Sequence, residues 1–225
     1  VKKHLLSIML LSSITSSFAQ AEESQEFSVK GKIKPVACDI SVTTPKIELP
    51  VITANAFKEA ESKIAEDIQY KFDVDCEADN AISITFSDGQ PGTAFGSDPD
   101  RFGLGKVTGK DNKEIPVGSW KVKLTDLTAE TTKDGIITNE MLSRIYRNAI
   151  DKRDWASIRK DAYLYVDHEI SINQGTVLNT NQHIKTIKKL SGTLTGEIFG
   201  APRANLPLSE QMPISGKITM SINYL

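Results

Sequence analysis

Cysteine is scarce in this 225-residue chain: only Cys38 and Cys76 occur, 38 residues apart. That spacing excludes a C-x-x-C redox pair, and His168 and His183 stand too isolated to complete a zinc site. Catalytic signatures are missing as well. There is no G-x-S-x-G elbow, no H-E-x-x-H and no phosphate-cradling glycine motif, so the chain reads as a non-enzyme that needs no cofactor. An excess of one charge is also absent: 27 basic residues face 29 acidic ones for a formal net charge of -2, and the lysines are scattered. Nucleic acid is therefore not the expected partner. Aromatic side chains make up only 7%, against 39% hydrophobic and 25% charged, a composition that supports one substantial packed core. No repeat, low-complexity tract or linker divides the chain.

What is present begins with an address. Lys2-Lys3-His4 precede an apolar run from Leu5 to Phe18, and Ala19-Gln20-Ala21 then offer the small residues of an A-x-A cleavage site. The run is shorter than the roughly 20 residues that cross a bilayer, so it predicts a signal peptide over 1–21 and a mature start at Glu22. Export puts the chain in an oxidising compartment. There the lone pair Cys38 and Cys76 is expected to form a disulfide.

Two-residue alternation dominates the remainder of the chain. It runs through Tyr70, Phe72, Val74 and Cys76, then Ile82, Ile84 and Phe86, then Trp120, Val122 and Leu124, then Leu164, Val166, Ile170 and Ile172. Leu190, Leu194 and Ile198 continue it, with Gly192 and Gly196 between them, and Ile218, Met220, Ile222 and Tyr224 end it. Such patterns predict half-buried strands, and turn signals at Asp88-Gly89, Pro91-Gly92, Asp134-Gly135 and Ser191-Gly192 are expected between them. Without a βαβ rhythm, the expected fold is an all-β antiparallel sandwich. Two stretches instead show helical spacing. Asn55 to Glu66 carries Phe57, Ala60 and Ile64, and Thr138 to Ile150 carries Met141, Leu142, Ile145 and Ala149. Both predict short helical insertions in loops.

The segment after Glu26 is the most specific. Phe27, Val29, Gly31, Ile33 and Pro35 project to one side of an extended strand, and Ser28, Lys30, Lys32 and Lys34 to the other. Gly31 lies seven residues before Cys38, and the C-terminus alternates through Ile218, Met220 and Ile222 to a penultimate Tyr224. In these features the chain resembles subunits of bacterial chaperone–usher pili, whose extension carries such a glycine and whose cysteine pairs some forty residues on. The family's usual glycine fourteen residues from the end is Met212 here, with Gly216 nearer the terminus. Phe86-Ser87-Asp88-Gly89-Gln90-Pro91-Gly92, Phe102-Gly103-Leu104-Gly105 and Gly216-Lys217-Ile218-Thr219 further resemble an exported enterobacterial pilin-like family associated with fimbrial genes.

The resemblance implies an incomplete immunoglobulin-like sandwich over 37–225, lacking its last strand, and a donor-strand extension over 22–36. In that scheme Phe27, Val29, Ile33 and Pro35 fill groove pockets of a neighbouring subunit, and Gly31 permits close backbone approach. Ile218, Met220, Ile222 and Tyr224 form the strand that meets a periplasmic chaperone. The implied partners are that chaperone, an outer-membrane usher and other pilus subunits or copies of this chain, in the periplasm during transit and then on the cell surface. The alternative is a self-complete sandwich that binds a ligand, as an adhesin or lectin does, with residues 26–37 as an ordinary first strand.

Weaker signals have bland readings beside them. Asp88, Asp98, Asp100 and Asp111 lie in a glycine-rich stretch but match no calcium loop, so solvated turn carboxylates are expected. His168 falls in line with inward residues and reads as structural. Trp120, Trp155, Tyr163 and Tyr165 form either a sugar-stacking surface or, as strand aromatics usually do, core. Lys185, Lys188 and Lys189 read as a solvated face.

Overall fold

The computed structural model describes residues 37–43, 46, 48–49, 51–109, 111–137, 142–148, 150, 155–174, 184–209 and 211–225. They fall in one compact unit spanning Pro35–Leu225. The chain forms thirteen strands: β1 (Cys38–Val42), β2 (Ser62–Asn80), β3 (Ile82–Asp88), β4 (Phe102–Gly103), β5 (Lys106–Thr108), β6 (Glu114–Pro116), β7 (Gly118–Thr131), β8 (Gly135–Ile137), β9 (Leu142–Asn148), β10 (Ala156–Ile158), β11 (His168–Gln174), β12 (Ile187–Gly200) and β13 (Ile218–Tyr224). One sheet has the order β1-β2-β12-β7-β4, with β8 against β7, and the other has the order β10-β9-β11-β3-β13. All pairings between named strands are antiparallel, and β5 and β6 form a separate hairpin.

Alternation builds the core as expected. Phe72, Val74 and Cys76 of β2 and Leu190 and Leu194 of β12 belong to one buried cluster with Ile82, Ile84 and Phe86 of β3 and Ile170 and Ile172 of β11. These are the inner faces of two packed antiparallel sheets, the arrangement of a β-sandwich. A smaller cluster of Phe57, Ala201 and Leu206 lies apart from that core, with Ile52, Ile64, Leu208 and Met212 against it.

Helices are absent among the described residues apart from the single 3₁₀ turns Ala54–Ala56 and Arg203–Asn205. The two predicted helical insertions are therefore corrected. Over 55–66 the chain makes the end of one such turn and then enters β2 at Ser62. Asp67, at φ 60°, sits in a bulge where the pairing with β12 jumps from Ile68 to Ala65. Phe57 and Ala60 precede β2 and only Ile64 lies within it, so their spacing joins residues of different local structure and not one helix face. Over 142–148 the chain forms β9, with Ile145 buried and the next residue, Tyr146, packed against the main core. A strand apolar on both faces has no alternation to display, and the rest of that predicted helix lies outside the described residues. Leu164 and Val166 also precede their expected strand, because the chain turns at Asp167 (φ 58°) before β11 begins at His168.

Candidate functional site: an edge strand and a groove

Among the described residues the C-terminal strand β13 is the last strand of its sheet and pairs only with β3. Gly89 N–H donates to the Lys217 carbonyl at 2.8 Å, and Leu225 N–H donates to the Ala81 carbonyl at 3.0 Å. Hydrogen-bonded pairs recur at every second residue of an antiparallel ladder, so Thr219, Ser221 and Asn223 bond β3. Ile218, Met220, Ile222 and Tyr224 consequently turn their N–H and C=O groups to the open edge. They are the four residues the alternation singled out. Three of them, Ile218, Met220 and Ile222, also pack half-buried side chains on the main core.

The edge of the opposite sheet has the same construction. Glu77 N–H donates to the Ala37 carbonyl and Thr43 N–H to the Lys71 carbonyl, which fixes the phase of the β1–β2 ladder. Cys38, Ile40 and Val42 thus direct their backbone groups away from β2. Cys38 N–H meets the Tyr224 hydroxyl at 3.0 Å, so the two free edges border the same open side of the sandwich. The disulfide Cys38–Cys76 is formed there, with Cα atoms 3.9 Å apart, and it joins directly opposed residues of β1 and β2.

A groove of about 750 Å³ lies near the segment that leads into β13, though no residue of β1 or β13 lines it. Leu49 and Ile52 line it from the segment after β1, Met212 and Ile214 from the segment before β13, and Ile68, Tyr70, Trp120 and Ile198 from the first sheet. Val51, at its rim, is 94% exposed. Trp120 crosses Gly196 so closely that a Cβ there would fall 2.2 Å from the indole Nε1, while Gly216 meets the other end of the ring near Cε3. Tyr70 packs beside the indole at 5.7 Å between ring centroids. The Trp120 Nε1–H is buried and has no hydrogen-bond partner among the described residues. Close approach, not a turn, is what requires glycine at 196 and 216.

The other sequence candidates are dispersed. Asp88 accepts hydrogen bonds from the Gln90 and Gly103 N–H groups, Asp98 pairs with Arg101, Asp100 with Lys121 and Asp111 with Lys113. They are turn and ion-pair carboxylates, and among the described residues no group of three potential ligands could hold a metal. His168 Nδ1 contacts the Val166 carbonyl at 3.1 Å, and the ring packs against Tyr146 and Tyr165. Trp155 is buried beneath the Arg147 guanidinium, Tyr163 bonds Glu197 beneath Lys123, and only Tyr165 of the four expected aromatics is open, at 37%. Burial and the Glu197 hydrogen bond push the Tyr163 phenol up to about 12. Lys185 pairs with Asp134 and Lys189 approaches Asp75 at 3.7 Å. Phe27, Val29, Gly31, Ile33, Pro35 and His183 lie outside the described residues.

Sequence reasoning missed the groove-lining residues Trp120 and Tyr70 as a set, and the segment 48–52. Gly196 was the available signal, since glycine on the inner side of a strand often marks a close contact. Comparison of the chain with protein families, curated proteins and solved structures finds no match.

Proposed function

We propose that this chain is a fimbrial subunit of the chaperone–usher type, whose open edge accepts a strand from a partner and whose residues 22–36 are the strand it donates. The observation that supports the reading is β13: among the described residues its outward backbone groups have no strand partner, while its inward apolar side chains Ile218, Met220 and Ile222 remain half exposed. An edge of that kind is a template for strand addition and aggregates when left open. The segment 22–36 has the complementary pattern, with Phe27, Val29, Ile33 and Pro35 to fill apolar space and Gly31 where the backbone must come close. Its lysines would face solvent. A chaperone would hold β13 first, through Ile218, Met220, Ile222 and Tyr224, and a second copy or another subunit would replace it. The disulfide accords with an exported protein, since such bonds persist in oxidising compartments.

The test adds a synthetic peptide covering residues 22–36 to the purified chain. Binding with a raised melting temperature, abolished by Gly31→Leu in the peptide, is expected. A stable monomer that neither binds the peptide nor gains stability from it would exclude strand acceptance and leave a self-complete binding sandwich.

A further inference from the structure

Tyr224 stands apart from the other inward residues of β13, because its hydroxyl reaches the opposite sheet and accepts the outward N–H of Cys38 at 3.0 Å. Stacked sheets lie about 10 Å apart, so this phenol bridges the open side between them. Cys38 cannot drift from that position easily, being bonded through its sulfur to Cys76 of β2. Tyr224 in turn is held by β13's pairing with β3, where it lies opposite Ile82. At this end the Tyr224 phenol spans from one edge strand to the other. The groove lies toward the opposite end of β13, where Ile214 and Gly216 line it.

A strand laid along β13 needs the outward N–H and C=O of Tyr224 for its last pairing, and the inward side chain opposite Tyr224 needs space beside the phenol. We propose that the Tyr224 hydroxyl is a latch on the strand-accepting edge, formed while the groove is empty and released as a strand is captured. The inference rests on the strand-acceptor reading and adds to it a control on capture. The latch is a hydrogen bond from a backbone amide to a phenol, half exposed at Tyr224 and so exchangeable with water.

The experiment compares the full-length protein with Tyr224→Phe, which keeps the ring and removes only the hydroxyl. Two quantities are read: exchange of the Cys38 backbone amide, and the association rate of a synthetic 22–36 peptide. One ordinary hydrogen bond corresponds to about a five-fold change, so exchange and association should each rise by about that factor in the variant. Unchanged Cys38 exchange would show that the hydroxyl does not hold that amide, and would overturn the proposal. Equal peptide association by both proteins would overturn the latch while leaving strand acceptance intact. Failure of the peptide to bind either protein would overturn strand acceptance itself, and the latch with it.

Discussion

Gly196→Ala adds one methyl group where the structure has least room for it. A Cβ at 196 would lie 2.2 Å from Trp120 Nε1, 3.0 Å from Cε2 and 3.3 Å from Cδ1, whereas comfortable heavy-atom contacts begin near about 3.5 Å. Something must therefore move by more than about 1 Å. The backbone of β12 at 196 is paired on both sides, with Ile68 of β2 and Val122 of β7, so the indole is the part that yields. It can yield only toward the groove it lines. Overpacking of this kind costs about 1–3 kcal/mol. For a chain of this length that lowers the melting temperature by about 2–10 °C. The displaced ring would also occupy groove volume, so affinity for the 22–36 peptide should fall with stability. Thermal melting and tryptophan emission, followed together under non-reducing conditions, check this. Trp120→Phe in the same chain should recover part of the loss, because it removes Nε1 and its neighbouring ring atoms from the collision, and the cycle should show coupling above about 0.5 kcal/mol. A Gly196→Ala protein with unaltered melting, emission and peptide affinity would refute the placement of the indole over Gly196.

Cys38→Ser opens a loop of 38 residues and should cost about 2–5 kcal/mol, read by denaturant unfolding against the oxidised parent; two reactive thiols in the native parent would contradict the bond. Stability should also decline in acid. The Arg101 hydrogen bond holds the Asp98 carboxyl below its usual range, the Lys185 bond does so for Asp134, and at Glu197 burial opposes the shift but the Tyr163 and Lys123 bonds outweigh it. Groups whose folded values are depressed contribute above their unfolded values, near about 4, and lose that contribution as pH falls through the folded ones. The melting temperature should therefore hold steady from neutrality down to about pH 5 and fall below about pH 4; a rise there would contradict the ion-pair assignments. Finally, N-methylation of single residues in the 22–36 peptide tests strand addition directly. In antiparallel addition, inward residues bond the outward groups of Met220 and Ile222, so N-methylation at Val29 or Ile33 should abolish binding and at Lys30 or Lys32 should spare it. Position-independent effects would exclude a strand.

Most of the fold was legible because strand alternation is a local signal. Phe72, Val74 and Cys76, or Ile82, Ile84 and Phe86, face one way whatever the rest of the chain does, and all are buried. The sequence misled at two places. Phe57, Ala60 and Ile64 have helical spacing but belong to different local structures, Phe57 following a 3₁₀ turn and Ile64 lying in β2 among its register shifts, and in β9 both faces are apolar around Ile145 and Tyr146. Neither place displays a period of two, and neither is helical. The groove was less legible than the strands. Tyr70 and Trp120 come from different strands, and only the lateral order β2-β12-β7, a property of pairing over long sequence separations, brings their rings together across Gly196.

The free edge arises from the same geometry. In an antiparallel ladder, residues that share a face also share the direction of their backbone groups. Once the last hydrogen bonds tie Lys217 to Gly89 and Leu225 to Ala81, inward Ile218, Met220 and Ile222 must also be the residues with unpaired amides. Reading the alternation therefore identified which residues would carry the edge, but not that there was an edge. That depends on β13 having β3 on one side and, among the described residues, no strand on the other, and no pattern within residues 218–224 distinguishes an edge strand from an interior one. In the proposed reading the complementary signal lies elsewhere in the chain, in the alternating apolar residues from Phe27 to Pro35, and the edge and that segment stand or fall as a pair in the peptide experiment.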